Sequence, residues 1–127
     1  MAIIQINVHS NLRTVVTSYS GVMRVQDVFS AWSELKAMPD FDAKFNHLVD
    51  LSNVADFRLS YYDQQVLAKE PNPFEESSRL VFVAATDLVF DLVSVYVALI
   101  AKSHSHTSVV RSLQEGWFQI APSGSRK

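Results

Sequence analysis

The chain has 127 residues, 48% of them apolar and 19% charged, with three Gly and four Pro; this excludes a disordered or fibrous protein and suits one domain around a single core. Eleven Lys and Arg against thirteen Asp and Glu leave a formal charge of -2, so no basic field exists to attract a phosphate backbone and nucleic acid is not an expected partner. The absence of cysteine excludes a disulfide framework, a thiolate nucleophile and a cysteine-zinc site.

The opening segment, MAIIQINVHSN, lacks the basic start and long apolar stretch of an export signal, and a cytoplasmic location is expected. Within it Ile4, Ile6 and Val8 alternate with Gln5 and Asn7, which is the period of a strand over residues 3–8. Ser10 and Asn11 supply turn chemistry before a second β-branched run over 13–19, so the chain should open with a β-hairpin. Gly21 punctuates the sequence, and from Val25 the apolar positions Val28, Phe29, Trp32 and Leu35 recur at three- and four-residue spacing. They predict an amphipathic helix that ends near Ala37, because Pro39 disfavours helical geometry in the residue before it.

A short apolar strand is expected over 47–51, breaking into a polar turn at Ser52 and Asn53. Ser60 and Asp63 stand three apart ahead of a helical stretch to about Lys69, a spacing that satisfies free amides at a helix start. The segment EPNPFEESS reads as a surface loop. Residues 80–101 then form an apolar run long enough to cross a bilayer as one helix, but Asp87 and Asp91 interrupt it, each costing about 2.5 to 3.5 kcal/mol near a span centre. A buried strand over 80–84 followed by a helix from Thr86 or Asp87 to Lys102 is therefore expected, and no membrane span. After the connector SHSHTS, Val109 and Val110 mark a last strand, and Ser112 with Glu115 makes a capping box for a closing helix through Trp117.

Strands and helices thus alternate after the hairpin, which predicts an α/β fold with a mostly parallel mixed sheet covered by helices. Residues 1–120 should form one domain and 121–127, APSGSRK, a frayed tail.

This order of elements, with HLVDLSNV leading to Ser60 at a helix start and RLVFVAA preceding the longest helix, resembles the STAS-like, or SpoIIAA-like, domains. The resemblance is one of pattern and covers most of residues 21–118. It implies a bacterial regulatory domain acting by protein-protein contact. In antagonist members the loop after the Asp-Leu-Ser strand carries an Asp-Ser-Ser-Gly motif whose second serine is phosphorylated by a partner kinase; here the corresponding stretch is Arg58-Leu59-Ser60-Tyr61. A phosphate on Ser60 would meet free amides at a helix N-terminus, with Arg58 at hand, whereas an unmodified serine there is simply an N-cap. Ser52, Asn53, Arg58, Ser60 and Tyr61 are the expected recognition surface.

His104 and His106 lie two apart and would share one face of an extended segment, but no third ligand accompanies them, and they follow a helix end where positive charge is favourable; no metal and no other cofactor is expected. Asp50, at a strand end, is placed where α/β sheets hold ligands, with Asp56 and Asp63 near in sequence. No nucleophile elbow or glycine-rich phosphate loop accompanies them, so these carboxylates read as turn formers and caps and the chain as a non-enzyme.

In the helix over 87–102 the polar residues Asp87, Asp91 and Ser94 form one thin stripe, and apolar side chains take up the rest. One sheet cannot cover so wide an apolar surface. Phe90, Val93 and Val97, with Trp32 or Phe29 of the earlier helix, are therefore expected to meet a second copy of the chain, or to enclose a small apolar ligand against the sheet. The alternative cover is the neighbouring helix together with Trp117 and Phe118.

Overall fold

The computed structural model describes residues 2–120. Strand β1 (Ala2–His9) pairs antiparallel with β2 (Thr14–Arg24), and β3 (Asn46–Arg58), β4 (Leu80–Val83) and β5 (Thr107–Val110) follow in parallel, giving a five-stranded sheet in the order β1-β2-β3-β4-β5. Helices α1 (Val25–Lys36), α2 (Tyr61–Lys69) and α3 (Asp87–Leu99) form the successive crossovers, and α4 (Leu113–Ile120) closes the described chain. This is the α/β architecture that the alternation of periods predicts. The tail over 121–127 lies outside the described residues.

The hairpin turns through a short 3-10 segment, Ser10–Leu12, and Arg13 closes it in the left-handed region at φ 51° while its amide donates to the Ser10 carbonyl. Ile4, Ile6 and Val8 face the helices, as their alternation requires.

Both inner strands run further than their local sequence suggests. Gly21 does not stop β2; it sits within the strand at φ 85°, where a register shift against β3 needs a backbone conformation that glycine adopts without penalty. Ser52 and Asn53 do not form a turn either. Ser18 pairs with Asp50 and Ser20 with Asn53, so Tyr19 alone stands opposite Leu51 and Ser52, and these two form a β-bulge in which the Ser52 amide donates to Asp50 Oδ1 at 3.0 Å. The β2–β3 ladder then resumes to Arg24 and Arg58, and a parallel partner strand supplies the hydrogen bonds that local turn preference would have taken elsewhere.

The helix starts follow their capping chemistry. The Arg24 amide donates to Asp27 Oδ2 at α1, Ser60 and Asp63 exchange bonds at α2, Thr86 Oγ1 accepts from the Val89 amide at α3, and Ser112 and Glu115 exchange bonds at α4. The apolar run over 80–101 divides into β4 and α3, and α3 ends at Leu99, where the Ser103 and His104 amides turn back onto the Ile100 carbonyl. Among the described residues no helix is long and apolar enough to cross a membrane.

Alternation along β3 and β4 sorts the core between two layers. Val49, Leu51 and Leu80 meet Val28 and Ala31 of α1, Leu67 of α2, and Val89 and Val93 of α3 on one face. Leu48, Val81 and Val83 meet Ile120 and Trp117 of α4 on the other. A third cluster, Val15, Leu35, Phe45 and Phe74, closes the end of the sheet beneath α1. Trp117 and Phe118 therefore lie across the sheet from α3 and do not cover it; α2 does so on one side, while Leu88 stays 67% exposed and Val95 36% exposed along the outer side.

Candidate functional site

The three crossover helices do not close completely over the sheet. Between them and β2, β3 and β4 lies a recess of about 560 Å³ including its open mouth, of which about 60 Å³ can be reached by the centre of a water molecule. By the measure of roughly 10–15 Å³ for each water, that is room for about four to six. Its wall is mostly apolar and rich in rings, with Trp32, Phe57 and Phe82 beside Met23, Val49 and Val93. Trp32 is held edge-on to Phe29 at 5.9 Å between ring centroids, and Phe82 edge-on to Tyr96 at 6.0 Å.

The polar groups at this wall are all uncharged at neutral pH. His47 is 6% exposed, stacks on Phe74 at 4.3 Å between centroids and shares a 2.8 Å hydrogen bond between Nε2 and Thr17 Oγ1. Burial lowers its pKa to about 3, so the imidazole is neutral at physiological pH. Burial, and after it the charge of Asp27 and the neighbouring Tyr96, holds the Tyr19 phenol well above its ordinary range, and burial pushes Tyr96 up to about 12. Both tyrosines keep their proton. Gln64 is 2% exposed; its Nε2 donates to the Leu59 carbonyl at 3.4 Å, and its Oε1, also buried, has no hydrogen-bond partner. Because Leu59 offers only an acceptor, the amide nitrogen must point to it and the oxygen must be the atom left over.

The expected recognition residues lie elsewhere, around the β3 bulge and the start of α2. Ser52, Asn53, Arg58 and Ser60 are exposed, Tyr61 is 58% exposed, and Tyr62 next to it is 72% exposed. Arg58 Nε contacts Asp56 Oδ2 at 2.6 Å, and Ser60 Oγ accepts the Asp63 amide at 3.1 Å, so Ser60 is an N-cap in the unmodified chain. The residues expected at an apolar partner or ligand face divide. Val93 and Trp32 line the recess, Val97 packs against the same core, and Phe90 lies beneath the Arg111 guanidinium, 4.2 Å from its ring centroid.

The candidate catalytic carboxylates are engaged locally: Asp50 with the Ser52 amide, Asp56 with Arg58, Asp63 with the Ser60 amide. His104 is buried, with Nδ1 3.1 Å from Ser103 Oγ and Nε2 without a partner, whereas His106 is exposed, so the two do not present one face. Among the described residues no three His, Asp or Glu side chains converge as a metal would require.

Sequence reasoning did not single out Tyr19, His47, Gln64 or Tyr96 as site residues. For Gln64 a signal existed: three positions before buried Leu67, it falls on the inward face of α2, where an amide needs partners. No protein-family model and no curated protein sequence matches this chain.

Proposed function

We propose that this domain is a non-catalytic carrier or sensor that holds a small, largely apolar molecule in the recess between α1, α2, α3 and the sheet. The observation that carries this reading is the recess itself, a ring-lined hollow whose wall includes Gln64, a buried amide with its oxygen unpaired. Interiors are normally packed to crystal density, so retained space of this kind argues for an occupant. The test is thermal unfolding with toluene, cyclohexane and octanol. A ligand at a hundred times its Kd adds about 2.7 kcal/mol, which raises Tm by about 10 °C in a domain of this size. No shift with any of the three, nor with phenol, overturns the reading.

A second reading is supported by the exposed pair Tyr61 and Tyr62 beside Ser60 and Arg58. Aromatic and arginine side chains are enriched at protein interfaces, and the order of elements suits a cytoplasmic STAS-like regulator read by a partner such as a kinase. Mass spectrometry of Ser60 in protein from its native host, grown under several stresses, separates a phosphoswitch from a plain cap. We further propose a homodimer through the outer side of α3, where Leu88, Leu92, Val95 and Leu99 recur at four- and three-residue spacing. Light scattering should give twice the chain mass at micromolar concentration and the single mass for Leu88→Glu; a monomeric native chain refutes the dimer.

A further inference from the structure

We infer that the recess selects an uncharged, flat ring that donates a hydrogen bond, and that Gln64 Oε1 is the atom that accepts it. The inference rests on the reading of the recess as a ligand site and names the class of ligand.

Three observations lead to it. First, no Asp, Glu, Lys or Arg lines the recess, and His47 there is neutral because burial disfavours its charged form. A charged ligand would give up its hydration with no counter-ion to replace it, so the site favours a neutral one. Second, rings surround the space, with Trp32 from α1, Phe57 from β3 and Phe82 from β4, a lining suited to edge and face contacts with another ring.

Third, Gln64 Oε1 is a strong acceptor in a 2% exposed residue with nothing to accept from. Leaving such an atom unpaired costs about 1–3 kcal/mol, and the Gln64 side chain, which lines the recess, relieves that cost by turning its oxygen to a ligand N–H or O–H. Tyr19 and Tyr96, whose phenols keep their protons at neutral pH, also line the recess and leave it without charge. The reachable space of about 60 Å³ is less than half of the 150 Å³ apolar cavity that takes benzene, so a six-membered ring occupies the recess with one edge toward the mouth, and the flexible Met23 side chain in the wall can yield to it.

Phenol and toluene test this, since they share a ring and differ only in hydroxyl against methyl. In a purely apolar hollow, phenol would bind about tenfold to a hundredfold more weakly, because its hydroxyl leaves water unpaired. Calorimetry on the native chain should instead give phenol a Kd equal to or lower than that of toluene, and benzoate no measurable binding. Gln64→Leu should reverse the order, with phenol weaker than toluene by about tenfold. Native protein that prefers toluene by tenfold, or that takes benzoate as well as phenol, overturns the inference while leaving a ligand site standing. Binding of neither ring overturns both. The native-chain comparison needs no variant to fold, and unchanged ranking in a folded Gln64→Leu protein assigns the acceptor elsewhere and refutes the role of Gln64.

Discussion

Acidification should destabilise this domain through the buried His47. In the native state the imidazole is 6% exposed, stacked on Phe74 and bonded to Thr17, and burial lowers its pKa from 6.5 to about 3. In the unfolded chain it returns to 6.5, so between those values the unfolded state binds a proton that the native state refuses. The stability tied to neutral His47 is complete above pH 6.5 and is lost as pH falls toward 3. At about 1.36 kcal/mol per pH unit, the loss from pH 7 to pH 4.5 is roughly 2–3 kcal/mol, a large part of the total for a domain with marginal stability. Urea unfolding at half-unit steps over that range measures it. Carboxylates also titrate there, so the informative quantity is the difference from His47→Gln, which keeps a hydrogen-bonding group for Thr17 but has no proton to gain. The native chain should lose about 2–3 kcal/mol more than the variant across the range. Parallel pH profiles for the two proteins would refute the assignment of His47 as a buried neutral group.

Gly116 is the contact point of α4, and a Cβ there would lie 2.7 Å from Leu48 Cδ1 and 3.1 Å from Val83 Cγ2, both on fully buried residues. Gly116→Ala gains about 1 kcal/mol of helix propensity but overpacks by about 1–3 kcal/mol, so a net loss and a lower Tm are expected; a Tm above the native value contradicts the close approach. Ser60→Ala should cost about 1 kcal/mol in denaturant titration, while Ser60→Asp, which keeps an acceptor for the Asp63 amide, should stay within a few tenths. Equal stability of all three proteins would mean that the Ser60–Asp63 box contributes nothing.

The expected recognition surface and the recess differ in how far local sequence reaches. Ser60 was legible as a helix start because a cap and its partner lie three residues apart, and the same holds for Ser112 and Glu115. The division of residues 80–101 was legible because two aspartates make a continuous span costly and a threonine precedes the first. The end of β3 was not, since Ser52 and Asn53 carry turn chemistry and only pairing with the extended β2 keeps them in the strand, Ser52 within a bulge and Asn53 opposite Ser20.

Periodicity, caps and breakers act over a few residues, and they determined the α/β class, the hairpin and the start of each helix in this chain. Tertiary structure alone decided which groups share a space. Tyr19, His47, Gln64 and Tyr96 come from four different elements and meet at one wall only because β2 and β3 pair in parallel and α2 and α3 cross the same face. It also decided that Trp117 packs on the opposite face from α3, leaving Leu88 uncovered. Burial, and with it the neutrality of His47 and the unmet hydrogen bond of Gln64, is a property of neighbours distant in sequence, which no local pattern encodes.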